Sequence, residues 1–263
     1  MTSLTPENLR SLLVQLQESE SEIILVGGQA INLWASFYQA KIPQLENFFP
    51  FASEDLDFYG GRLDALACHQ ILGGQIYLAQ GFDPSPNAGI LTVDYQQRKL
   101  RIDFLATVYG LNEVEIVSTA IPFEGKESLQ GITLKVLHPI LCLEGKLKCL
   151  QSLPQQGRQD LKHVKMSILC LHQFLLDLAQ QQALRPFLKL TERLMTNALN
   201  EIGLSVWYHH SIYLEKAIPL NCELLIAEPK GQQFYSVRWP QLKKQLESKR
   251  SRYQTLMERV QPD

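Results

Sequence analysis

No apolar run in this 263-residue chain approaches the roughly 20 residues of a membrane-spanning helix, so a protein without such a span is expected. Met1–Arg10 is polar and acidic and lacks the basic start and apolar core of a secretory signal, which predicts a cytoplasmic setting. Cysteine is sparse: Cys68, Cys142, Cys149, Cys170 and Cys222 are odd in number and form no CxxC pair. That argues against a disulfide framework or a zinc ribbon and predicts small core thiols, with Cys142 and Cys149 on one helix face. GxSxG, Walker A and HExxH signatures are also missing, which removes the usual marks of serine hydrolases, P-loop enzymes and zincins.

What remains is an ordinary globular composition, 45% hydrophobic and 20% charged, enough for one large domain or two modest ones. The net charge of −2 hides an asymmetry: residues 1–137 carry 8 Lys/Arg against 16 Asp/Glu, and residues 138–263 carry 17 against 11. An acidic half beside a basic half suits a metal-binding lobe followed by a polyanion-binding lobe.

Periodicity gives the order of elements. Leu9, Leu12, Leu13 and Leu16 mark a first helix; Ile23–Val26 reads as a buried strand ending at Gly27-Gly28, and residues 29–39 as a helix directly after it. Lys41–Phe51, with two prolines and several aromatics, reads as a loop, Asp55–Tyr59 as a strand and 62–72 as a helix. Strands are expected at 74–79, 88–95, 98–108 and 129–137, the first two parted by GFDPSPNAG and the next pair turning at Gln96-Gln97. In the strand beginning at Arg98, Leu100, Ile102 and Phe104 share one face, and Arg101, Asp103 and Leu105 the other. After Pro139 the pattern is helical over 140–152, 158–180, 183–200 and 238–260, and weaker over 203–217. The expected fold is therefore α+β: a mixed sheet with flanking helices over 1–137, then a helical region over 138–263.

Three pieces carry chemistry. Gly27-Gly28 lies between a strand and a helix, where absent side chains and unpaired N–H groups suit a phosphate; the plainer reading is a tight turn. In Ser53-Glu54-Asp55-Leu56-Asp57-Phe58 the two aspartates would project to one side of a strand, a pair that suits a divalent cation; the plainer reading is a solvated acidic edge. Asp103 stands amid apolar strand residues, where it needs a metal or a salt bridge, with Arg101 or Arg98 at hand.

In that order, the pieces over residues 22–106 resemble the nucleotidyltransferase superfamily with the DNA polymerase beta-like fold. The resemblance implies that Asp55 and Asp57 are metal ligands and that Asp103 is a ligand or general base. It further implies that Gly27, Gly28 and Ser53 contact phosphates, and that the cofactor is Mg²⁺, two ions, with Mn²⁺ as the alternative. The 27 positions from Gly28 to Asp55 exceed the family's usual spacing, so the aromatic loop reads as an insertion. The stretch HPILCLEGKLKCLQSLPQQGRQDLKH is similar to a segment of AbiEii-like nucleotidyltransferases, a group that includes toxins of toxin–antitoxin systems. This second likeness implies that Lys146 steadies the triphosphate and that Asp160 orients Lys146 or the substrate. Lys148 could substitute for Lys146, and Arg158 fits either a phosphate contact or a helix-start salt bridge.

The implied partners are a nucleoside triphosphate, an RNA acceptor such as tRNA, and an antitoxin protein. Arg238, Lys243, Lys244, Lys249, Arg250, Arg252 and Arg259, with Tyr235, Trp239 and Tyr253 among or beside them, fit RNA binding by charge and stacking; a solvated terminal helix is the plainer account. A small hydroxyl acceptor, a DxD glycosyltransferase and a non-catalytic binding module are the competing functions. His163, Cys170 and His172 lack a metal-ligand spacing and read as core or surface residues, and His209-His210 diverge by about 100° on a helix.

Overall fold

A computed structural model describes residues 3–19, 21–81, 84–220 and 228–260. Cys222 and part of the Gly81–Gly89 separator lie outside them. Two compact units are present: Met1–Cys149 with Gln155–Ser167, and Leu150–Pro154 with Ile168–Asp263. The first unit thus extends past residue 137, where the change in sequence character suggested a division, and takes in the first helical turns of the basic half.

The first unit is built on a seven-stranded mixed sheet. Its strands are β1 Ile24–Leu25, β2 Leu56–Tyr59, β3 Gln75–Leu78, β4 Asn87–Tyr95, β5 Arg98–Leu105, β6 Ile121–Glu124 and β7 Thr133–Val136, in the order β3-β4-β5-β2-β1-β7-β6. β2 runs parallel to β5 and antiparallel to β1, and β1 runs parallel to β7. The alternation in β2 and β5 puts Leu56, Phe58, Ile102 and Phe104 into the core, where the rings of Phe58 and Phe104 stack at 6.0 Å.

Helix α1 (Pro6–Leu16) opens on a Thr5–Asn8 capping box and buries Leu9, Leu12, Leu13 and Leu16. Helix α2 (Gly27–Tyr38) packs on β2 and is buried on nearly every side. Helix α3 (Arg62–Leu72) lies against β3, β4 and α1. A short helix, α4 (Glu113–Thr119), and strand β6 were not read from the sequence; each spans seven residues or fewer, below the window in which periodicity speaks. α2 also begins at Gly27 itself, so the glycines form its first turn rather than precede it. Within Lys41–Phe51, Pro43–Phe48 winds into a 3₁₀ helix around buried Leu45. The β4–β5 hairpin turns at Gln96 and Gln97, both at positive φ (48° and 63°), the backbone signature of a type I′ turn made without its usual Asn-Gly.

Helix α5 (Pro139–Ser152) and helix α6 (Asp160–Gln180) follow the sheet, and the first turns of α6 belong to the first unit. The second unit contains α7 (Leu184–Leu199), α8 (Glu201–His210), the 3₁₀ turn Leu214–Ala217, α9 (Pro229–Gln233), a π-helical turn Phe234–Arg238 and α10 (Trp239–Val260). α7 buries Phe187, Thr191, Leu194, Met195 and Ala198 along one stripe and packs on α8 and α10. Arg250 of α10 makes a bidentate pair with Glu215 at 2.7 and 2.8 Å, its guanidinium set between the rings of Trp207 and Tyr213. Cys68, Cys142 and Cys170 are buried, Cys149 is partly so, and none of the four is in a disulfide. Among the described residues no helix is long and apolar enough to cross a membrane.

Replacing Gln97 by glycine should stabilise the fold by about 0.5–1 kcal/mol, because glycine holds a left-handed conformation without the Cβ clash. A urea unfolding series on the full chain checks this through a higher midpoint at unchanged slope.

Candidate active site

The carboxylates of the first unit gather through ladder register. On the parallel pair β2–β5, Asp57 lies directly opposite Asp103, while the flanking Leu56–Ile102 and Phe58–Phe104 pairs turn to the other face. Asp55 precedes β2 and is exposed. Asp57 is held at a pKa of about 6, chiefly because it is buried, and then because Asp103 and Asp55 repel its charge; Lys146 and Arg101 offset part of this. Burial likewise raises Asp103, which is 8% exposed; Arg101 pulls it back and Asp55 pushes it up. Asp103 and Asp55 thus act on Asp57, and Asp55 acts on Asp103.

Asp103 also has protein partners. Arg101, two residues away on the same face of β5, donates to it at 2.9 and 3.1 Å, and the Asn87 amide donates at 3.2 Å. The ion pair expected as the plainer reading of Asp103 is thus present beside the carboxylate cluster. Among the described residues no group of three or more His, Cys, Asp or Glu side chains is arranged as a ready metal cage. Arg101 is the group that a cation would have to displace; its side chain is half exposed, whereas that of Asp103 is mostly buried. The donor set around Asp57 is all oxygen, the set that Mg²⁺ takes.

Gly27 and Gly28 stand against this cluster for steric reasons. Gly27 adopts φ +66°, and a Cβ there would come within 2.1 Å of Asp57 Oδ2. A Cβ on Gly28 would meet Ser53 Oγ at 2.5 Å and His163 Cε1 at 3.0 Å. Both glycines are therefore required by what crowds them, and the opening N–H groups of α2, with no carbonyl one turn back, lie beside the acids. Ser53 is pinned by a two-way backbone bridge to Leu4, whose carbonyl also accepts from buried Gln29 of α2. Its loop is tied to α6 as well: Lys162 donates to the Pro50 carbonyl at 2.8 Å and Gln159 to that of Ala52 at 3.4 Å.

Lys146 on α5 donates to Asp160 at 2.9 Å, and Arg158 donates to the other oxygen of the same carboxylate at 2.6 Å. Asp160 is 1% exposed. Burial alone would raise its pKa, but Arg158 and Lys146 outweigh that and bring it below the usual carboxylate value. Arg158 therefore makes the helix-start salt bridge, and Lys146, braced by Asp160, also acts on Asp57. Lys148 instead lies along Gly110.

Sequence reading gave His163 no role, yet it sits in this cluster. It is 3% exposed, and neither ring nitrogen has a hydrogen-bond partner. Burial, reinforced by Lys146 and Lys162, drops its pKa to about 3, so the ring is neutral. The available signal was its place three residues after Asp160, on the same face of the first turn of α6. A cavity of about 400 Å³ lined by Leu13, Leu16, Ile23, Phe58 and Phe123 lies elsewhere in the unit; Phe58 projects from β2 to the side opposite Asp57, so it is not part of this site.

In the second unit, two of the aromatics considered for base stacking are used internally. Trp239 is buried and packs near Phe234, and the Tyr235 hydroxyl donates to the Pro219 carbonyl. Arg250 is committed to Glu215, and Arg238 pairs with Glu192. Lys243, Lys244, Lys249, Arg252 and Arg259 are exposed on α10.

No family model matches the chain, and no curated protein matches it. Among solved structures, JHP933 from Helicobacter pylori is similar over 94% of this chain and 97% of its own length, at 17% identity and a TM-score of 0.35.

Two pH-dependent outcomes follow. Asp57 has a raised pKa, so the stability it lends is complete below pH 3.8 and is lost as pH rises through about 6. Asp57→Asn should therefore melt about 3–6 °C above the parent at pH 7.5 without added metal, solvent screening allowed for, and show no gain at pH 3.5. Asp160 has a lowered pKa, so its contribution is present at neutral pH and fades as pH falls below the usual carboxylate range. Asp160→Asn should cost about 2–4 kcal/mol at pH 7 and much less at pH 3, read by urea unfolding at both values.

Proposed function

We propose that the protein is a metal-dependent nucleotidyltransferase that moves a nucleoside monophosphate from a nucleoside triphosphate to a hydroxyl acceptor. The observation that carries the reading is the facing of Asp57 and Asp103 across adjacent parallel strands, beside the glycine turn that opens α2. Lone acids at such positions would be costly. A buried acid whose pKa is raised first by burial and then by Asp103 and Asp55, next to a helix N-terminus and a lysine, suits a ligand that brings its own balance of positive and negative charge.

In this reading Asp55, Asp57 and Asp103 hold Mg²⁺, which supplies Lewis acidity at the α-phosphate and at the attacking hydroxyl. The opening N–H groups of α2 and the Ser53 hydroxyl hold phosphate oxygens in line. Lys146, braced by Asp160, neutralises charge on the departing pyrophosphate. Asp103 holds the acceptor hydroxyl and takes up its proton. A bond forms between the acceptor oxygen and the α-phosphorus, and the bond from that phosphorus to the bridging oxygen breaks, releasing pyrophosphate. Arg101 pairs with Asp103 and would have to release it for Asp103 to hold a metal. The exposed cations of α10 favour an RNA acceptor such as tRNA, bound through its backbone, over a small molecule.

The protein should transfer label from at least one α-³²P nucleoside triphosphate to RNA in the presence of Mg²⁺ or Mn²⁺. Asp57→Ala and Asp103→Ala should each lower the rate by about 10³-fold or more while remaining folded by circular dichroism. Transfer from labelled sugar nucleotides, with none from any triphosphate, would replace this reading with glycosyl transfer.

A further inference from the structure

The Gly28–Ser53–His163 corner has more hydrogen-bonding capacity than the protein uses. A buried ring with two unpartnered nitrogens is a costly arrangement, about 1–3 kcal/mol for each unmet group, and native interiors rarely retain one without a use. The position of the ring is specific. It meets Gly28 through Cε1, the carbon between its two nitrogens, so its nitrogen-bearing edge faces the opening turn of α2. Ser53 Oγ converges on the same point from the other side.

Charge around the ring selects the kind of ligand. α6 contributes Lys162 and Asp160, and α5 contributes Lys146; both lysines act on the ring, and Asp160 is already matched by Lys146 and Arg158. A further cation at the ring would add to the lysines, whereas an anion would be drawn to them. The neutral imidazole keeps one N–H to donate. Ser53 is only partly buried, and its hydroxyl turns about a single bond.

We propose that His163 is a phosphate-binding residue: through one ring N–H it donates to a non-bridging oxygen of the triphosphate, alongside the Gly28 N–H and the Ser53 hydroxyl. The proposal rests on the triphosphate reading of the site and adds to it a contact from α6. It also accounts for the ties from Lys162 and Gln159 to Pro50 and Ala52, which hold the Ser53 loop in register with the ring.

The full-length protein, labelled with ¹⁵N-histidine, is titrated first with inorganic tripolyphosphate and then with each nucleoside triphosphate plus Mg²⁺, while imidazole ¹⁵N resonances are followed. His163 ring signals are expected to move on adding tripolyphosphate alone and to show coupling to ³¹P. His163→Ala should weaken tripolyphosphate binding about tenfold by calorimetry, and His163→Asn, which restores an N–H, should recover part of the loss. Triphosphate binding with unmoved ring signals and unchanged affinity in the alanine variant overturns this proposal and leaves the nucleotidyltransferase reading standing. Absence of any triphosphate binding by the parent protein overturns both. The ring signals of the parent decide the matter even where a variant fails to fold.

Discussion

Electrostatic repulsion between carboxylates on adjacent central strands of an open sheet is the constraint around which the first unit is organised. Asp57 and Asp103 face each other because the β2–β5 ladder fixes them so, and the ladder is fixed by Leu56, Phe58, Ile102 and Phe104 packing on the other side. The hydrophobic face therefore does the work of holding like charges together. The neighbours then follow: Gly27 because no Cβ fits against Asp57, the start of α2 because its free N–H groups oppose the acids' charge, and Lys146 because it offsets Asp57. Asp160 and Arg158 in turn keep that lysine from wandering.

Much of this could be read from residue order. Alternation in Leu100–Leu105 gave the two faces of β5 correctly, since a strand half buried by a core writes a period of two into its sequence. The mixed sheet and the helical remainder were legible for the same reason. Three things were not. Strand β6 and helix α4 are too short to display a period. For the ion pair of Asp103 the sequence offered Arg98 or Arg101; Arg101, on the same face of the strand, makes it, but whether an ion pair or a metal meets that acid is not written in the alternation. His163 carried only its spacing from Asp160, because its significance lies in a missing partner, and a missing partner is visible only once every neighbour has coordinates.

In the C-terminal half, seven cations and three aromatics near α10 fit RNA binding, with a solvated terminal helix as the plainer account. Arg250 is instead clamped by Glu215, Trp207 and Tyr213, and Trp239 belongs to the packing of its own unit. Cation-rich helices need some of their charge for their own cohesion: Lys249 donates to the Leu199 carbonyl at 2.9 Å, while Lys243, Lys244, Arg252 and Arg259 are exposed to solvent.

The parallel β2–β5 pairing has an implication for the chain's tolerance of rearrangement. The meeting of Asp57 with Asp103 is indifferent to the covalent path between them, which runs through α3 and the β3–β4 excursion. Two fragments severed along that path would recover the acid pair whenever their strands re-annealed, and a graft or a circular permutation could enter there without touching the chemistry. A one-residue slip of the same ladder would send Asp103 into the greasy interior. The path is thus open to revision and the seam is not.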